Sequence, residues 1–170
     1  MRGDSMKKLK KYVWIGILFC LILGSLSHFF YSWTLSNPIV GIFCPVSESA
    51  WEHMKLVFFP VLFYSGILCL LCQKEIPALF SSCLAGVLAG TLFIPVFFYT
   101  YTGILGYHLL GLDILTFVLA VLLSFFLTYH LAACLKMQRL LPILLFLTLL
   151  FFSAFFLFTF HPPKLGIFSA

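Results

Sequence analysis

Charge is scarce in this chain. Lys, Arg, Asp and Glu make up 9% of the 170 residues, against 63% hydrophobic residues. Soluble domains carry about 25% charged residues, so a water-soluble fold is excluded. A mean hydropathy of +1.15 and 22 Phe point the same way. Acids are the rarest charged class, with five in all: Asp4, Glu48, Glu52, Glu75 and Asp113. The chain also lacks an internal repeat, which argues against the inverted-repeat transporters. It has no His-Glu-x-x-His, so no standard metalloprotease motif is present. A second Cys pair to accompany Cys69-Leu-Leu-Cys72 is missing too, and that spacing reads as small apolar packing in a helix end.

The formal charge is +5, but its distribution excludes a nucleic-acid surface. Half of the basic residues are Arg2, Lys7, Lys8, Lys10 and Lys11, ahead of the first apolar run. That placement is a topology signal and a contact for anionic membrane lipids. Residues 1–5 read as an added leader before a natural start at Met6, and residues 1–11 as leader plus basic cytoplasmic N-terminus. The apolar run that follows is too long for a signal-peptide core and reads as an uncleaved span.

A spanning helix needs about 20 apolar residues. The hydropathy pattern predicts five, over residues 12–35, 55–72, 78–99, 112–135 and 140–160. They form one all-α transmembrane domain over 12–163, with a short outer tail at 164–170. With the N-terminus inside, inner segments carry the N-terminal cluster, Lys74, Lys136 and Arg139, and outer segments only Lys55 and Lys164. The positive-inside rule therefore predicts a cytoplasmic N-terminus and an extracytoplasmic C-terminus in the cell membrane. On this topology Cys44 alone of the six cysteines faces outward, and no intrachain disulfide is expected.

Residues 36–54 are too apolar for an ordinary loop, yet two prolines and a glycine break any continuous helix there. A partly embedded outer segment is expected, buried in protein or lining a cavity. Tyr99, Tyr101 and Tyr107 fall in a second outer connection, where tyrosine is common in any membrane protein.

The scarce titratable groups collect on that outer side: His28, Glu48, Glu52, His53, His108, Asp113 and, more weakly, His161. Such groups near hydrocarbon mark functional sites. Ser49 followed by Glu52 is a capping box, so a helix starts at Ser49. On that reading Glu52 is a cap, Glu48 favours the helix dipole and Trp51 is a membrane-belt residue. Two chemistries compete with it. Ser49 and His53 share a helix face and fit a nucleophile–base pair with Asp113 or Glu52 as carboxylate partner. Alternatively, Glu48, His53 and His108 fit a divalent metal, which accepts mixed His/carboxylate sets. His28, Asn37, Glu48, Tyr101 and His108 are candidate ligand contacts. Asn37 also fits a simple Asn-Pro turn, and His130, near the opposite membrane face, reads as structural.

The segments His28-Phe-Phe-Tyr-Ser-Trp, Asn37-Pro-Ile-Val-Gly and Pro45-Val-Ser-Glu-Ser-Ala-Trp-Glu-His-Met-Lys resemble a family of small uncharacterised multi-pass membrane proteins of Gram-positive bacteria. Tyr99-Thr-Tyr-Thr-Gly, Leu112-Asp113-Ile and Phe158-Thr-Phe-His-Pro-Pro extend the resemblance over most of the chain. It implies relatives without an established activity. Two function classes follow. One is a metal-dependent or Ser/His hydrolase or group transferase acting on a lipid or envelope substrate. The other is a non-catalytic binding, transport or partner subunit of the membrane.

Overall fold

The computed structural model describes residues 2–169, and all regular structure among them is helical. The helices are α1 (Arg2–Trp33), α2 (Pro38–Phe43), α3 (Ala50–Cys72), α4 (Leu79–Leu105), α5 (Leu110–Ala132) and α6 (Leu141–Phe160). Single 3-10 turns occupy Leu135–Leu140 and Gly166–Phe168. All but α2 are long and apolar enough to cross a bilayer. The chain is a multi-pass, all-α membrane bundle. Three of the long helices overrun the expected spans: α1 begins ten residues early, α3 starts five early and α4 ends six late, whereas α5 stops three residues short. Hydropathy marks hydrocarbon, whereas the helix continues until a cap or a glycine stops it.

Alternating direction sorts the connections into two ends. At one end Lys8 Nζ sits 2.6 Å from Glu75 Oε1, joining the start of α1 to the α3–α4 turn. Lys74, Lys136 and Arg139 belong to this basic end. The other end gathers the close of α1, all of α2, the starts of α3 and α5 and the finish of α6. It carries four of the five histidines.

Close packing here needs small residues, because lipid tails supply no hydrophobic drive between helices. Gly86 and Gly90 of α4 press against Ser124 and Ala120 of α5, leaving no room for a Cβ at either glycine. In α1, a Cβ on Gly24 would stand 2.6 Å from the Phe117 ring and 2.7 Å from the Leu56 carbonyl. Trp51 is not a belt residue. It is buried, with its ring centroid 4.8 Å from that of Phe155 and 5.0 Å from that of Phe168.

The segment between α1 and α3 is ordered by turns and caps. Leu35 and Ser36 adopt left-handed φ of 55° and 59°, and Ser36 N–H closes the end of α1 by donating to the Tyr31 carbonyl at 3.0 Å. Asn37 then caps α2, accepting from Ile39 N at 2.9 Å, with Pro38 at the first helical position. The proline-containing stretch thus includes a short helix that packs on α1 and α6.

One buried cation ties this end together. Lys55 is fully buried, and its ammonium donates to Glu52 Oε2 at 2.7 Å, the Gly41 carbonyl at 2.9 Å and Thr159 Oγ1 at 2.6 Å. Three donors meet three acceptors, one each from α3, α2 and α6. Glu52 Oε2 also accepts from Val46 N at 2.9 Å. Lys55→Met, which strands Glu52 without its cation, is expected to destabilise the fold by about 3–5 kcal/mol. Adding Glu52→Gln is expected to recover much of that loss. Thermal unfolding of the detergent-solubilised variants measures both, and a double variant no better than Lys55→Met contradicts the pairing.

Candidate functional site

The start of α3 positions the candidate site. Ser49 is the N-cap, and its hydroxyl accepts from Glu52 N at 3.3 Å. One turn on, His53 Nδ1 lies 2.9 Å from the Ser49 carbonyl. A carbonyl only accepts, so Nδ1 carries the hydrogen. In the neutral ring, Nε2 is then left with its lone pair free. This backbone-anchored tautomer is the one typical of metal-ligating histidine.

His53 Nε2 points at Glu48, whose Oε2 lies 3.5 Å away. His28 Nε2, from α1, stands 3.5 Å from the same carboxylate oxygen. The two imidazoles meet edge to face with centroids 5.3 Å apart. All three ligand atoms fall within 4.8 Å of one another. These separations exceed those of good hydrogen bonds. The two 3.5 Å histidine–carboxylate separations match the edges of a metal polyhedron, in which bonds of about 2.1 Å in tetrahedral geometry place ligand atoms roughly 3.4 Å apart. Gly24 lies one turn below His28, so the close approach of α1 to α3 and α5 brings the first imidazole within reach of the second.

A cavity of about 390 Å³ opens beside the triad. His28, Glu48 and His53 line one side, and His108 and Asp113 join them from the α4–α5 connection and α5. Asp113 sits in the first turn of α5, where the helix dipole favours a carboxylate. Tyr101 of α4, itself buried, donates its hydroxyl to Asp113 Oδ1. His108 Nδ1 lies 3.5 Å from Asp113 Oδ2 and is largely exposed. The remaining walls are mostly apolar, including Leu56, Ile94, Phe98 and Phe117, with Thr116 and Ser169 as the polar exceptions.

Over its whole length, residues 1–170, the chain matches the model of a family of unknown function, DUF6512. It belongs to that family. No curated protein and no solved structure matches it.

In this DUF6512 chain the residues singled out from sequence divide into two groups. The cavity brings together His28, Glu48, His53, His108 and Asp113. Glu52, Ser49 and Asn37 are not among its lining. Glu52 turns to the other side of α3, into the ion pair with Lys55, and does not complete a reciprocal capping box. The Ser49 hydroxyl serves Glu52 N and Ser47, while His53 bonds the Ser49 carbonyl, so the serine–histidine pair does not form. Asp113 orients His108 and Tyr101 rather than His53. In the metal-capable group His28 stands where the sequence reading had His108. Asn37 caps α2, exposed His161 ends α6, and His130 bonds the Phe126 carbonyl at 2.8 Å near the basic end.

Sequence reasoning missed Lys55, Thr159 and Gly24. A lysine in an apolar run with a carboxylate three residues before it was the available signal for the first. The other two act through contacts across the bundle, which no local spacing reveals. Gly24→Ala is expected to lower stability by about 1–3 kcal/mol through overpacking. Gly66→Ala, whose new methyl meets open space, is expected to change little or to stabilise by up to about 1 kcal/mol through helix propensity. Melting curves for the pair check this, and equal effects would remove the role given to Gly24.

Proposed function

We propose that this chain is a divalent-metal-dependent hydrolase of the membrane, with His28, Glu48 and His53 as metal ligands. One observation carries the reading: two imidazole Nε2 atoms stand 3.5 Å from one carboxylate oxygen, at the edge of a cavity. Three protein ligands with an open coordination position are the pattern of catalytic zinc. The His53 tautomer supports it, since the ring nitrogen left free of the backbone is the one aimed at the group.

The bound ion would bring water to a pKa near about 7 and polarise the substrate oxygen. Ester cleavage at this site would place the hydroxide of water on the acyl or phosphoryl centre as the bond to the leaving alcohol breaks. The alcohol departs with a proton. Asp113 and His108 face the triad across the cavity and are the groups suited to carry protons in and out. Tyr101 holds the Asp113 carboxylate in place.

The expected orientation puts the histidine end on the extracytoplasmic side of the cell membrane and the basic end in the cytoplasm. Two expectations follow. Purified chain is expected to retain about one zinc or manganese per molecule through dialysis. His53→Gln and His28→Gln should each lose it while melting as cooperatively as the parent chain, and metal should be required for ester or phosphoester cleavage. Elemental analysis with chelator titration checks this. Equal metal content in both variants overturns the site, and full occupancy without turnover of any ester marks a binding or transport subunit instead. For orientation, an impermeant thiol reagent added to whole cells should label Ser47→Cys and spare Cys134, which is exposed near the basic end. The reverse pattern inverts the topology.

A further inference from the structure

The cavity beside the metal ligands continues past the polar groups along the spanning helices. On α3 its lining reaches from Ala50 to Leu56, about 9 Å along the axis. On α5 it reaches from Leu110 to Phe117, about 10 Å. On α4 the lining residues Phe98 and Ile94 lie seven and eleven residues before the helix end at Leu105, roughly 10 and 16 Å along the axis. Phe117 packs onto Gly24 and closes the floor.

The polarity of the walls changes with depth. Titratable groups stand at the mouth; of the two other polar side chains in the lining, Ser169 donates to the Gly166 carbonyl at 2.7 Å, and the second is Thr116. Its hydroxyl is already committed to the Leu112 carbonyl at 2.6 Å. Among the described residues, no Lys or Arg lines the cavity. A water-soluble substrate would leave its own polar groups unpartnered against Leu56, Ile94 and Phe117. A chain of methylenes has none to lose.

We propose that the lower cavity holds an alkyl or acyl chain, so that the substrate of the metal centre is a membrane amphiphile. Its phosphate- or carboxylate-ester head sits at His28, Glu48 and His53, and its chain runs between α3, α4 and α5 toward Ile94. The proposal rests on the metal reading above. It adds the substrate class and separates a lipid from a soluble envelope fragment. Two neutral imidazoles and one carboxylate leave a divalent ion with net positive charge, which suits an anionic head in a cavity without basic side chains.

The test uses the full chain in detergent, loaded with Co²⁺, and a series of n-alkyl phosphates from methyl to octyl. Binding is read from the visible absorption of the cobalt. In the parent chain affinity is expected to rise about threefold to fourfold per methylene and then level off. Ile94→Trp, which fills the lower cavity, should stop that rise at shorter chains and leave methyl phosphate affinity unchanged. Phe98→Trp should do the same, and decides the matter if Ile94→Trp loses its cobalt spectrum. Equal affinity for methyl and octyl phosphate overturns the proposal. So does a rise that persists unaltered in the Trp variants, since the chain then lies in the micelle. In both cases the metal reading stands. Absence of a cobalt spectrum in the parent chain removes the metal reading and this proposal with it.

Discussion

The Lys55 ammonium is the constraint on which the histidine end depends. A cation at this depth is stable only if each of its donors is met. Gly41, Glu52 and Thr159 meet them, and each comes from a different helix. The one group therefore pins α2 over the bundle and ties α6 to α3. Thr159 passes the connection on by donating to the Phe155 carbonyl, in the helix whose rings surround Trp51. A wholly apolar contact of the same area would leave α2 free to slide. Directional bonds give it one position. That position sets the course of the loop from Cys44 to Ser49, and hence of Glu48.

Helix α3 keeps its buried ion pair and its cavity-facing histidine apart by rotation. Consecutive residues on a helix differ by about 100°. Glu52 and Lys55 look toward α2 and α6, while His53 looks toward α1 and the cavity. The buried pair is closed, with its ammonium fully committed and both side chains almost wholly out of solvent. The histidine group is open: two Nε2 atoms and a carboxylate stand beside a cavity, too far from one another for good hydrogen bonds. The two lie one residue apart in sequence without interfering.

Much of the fold was legible before any coordinates. The five spans follow from apolar runs alone, because backbone groups in lipid must bond within their own helix. The start of α3 at Ser49 follows from capping chemistry. The polar lining of the cavity was legible in its membership, since His28, Glu48, His53, His108 and Asp113 are conspicuous in so apolar a chain. Its wiring was not. Sequence spacing put Ser49 beside His53 and Asp113 behind it. The helix geometry instead gives His53 the Ser49 carbonyl, and Asp113 is claimed by Tyr101 on the neighbouring helix. Such pairings depend on how closely α1, α4 and α5 approach one another. Gly24, Gly86 and Gly90 set those distances; Gly86 and Gly90 carry the Gly-x-x-x-Gly spacing of close helix pairs, whereas no local pattern marks Gly24 as different from a glycine that faces open space.

Glu48 and Glu52 are the same residue type four positions apart, and on one continuous helix they would share a face. They do not, because the helix begins between them. Ser49 is extended, with φ −71° and ψ 151°, and this breaks the register one residue after Glu48. Glu52 inherits the helical frame and turns inward to Lys55. Glu48 is released from that frame and hangs over α1, with 70% of its side chain exposed and both imidazoles within reach. Moving the helix start two residues earlier would bring Glu48 into line with Glu52 and deprive the histidines of their carboxylate. The cap is therefore more than a terminator of backbone bonding. It assigns one carboxylate to the fold and the other to the site.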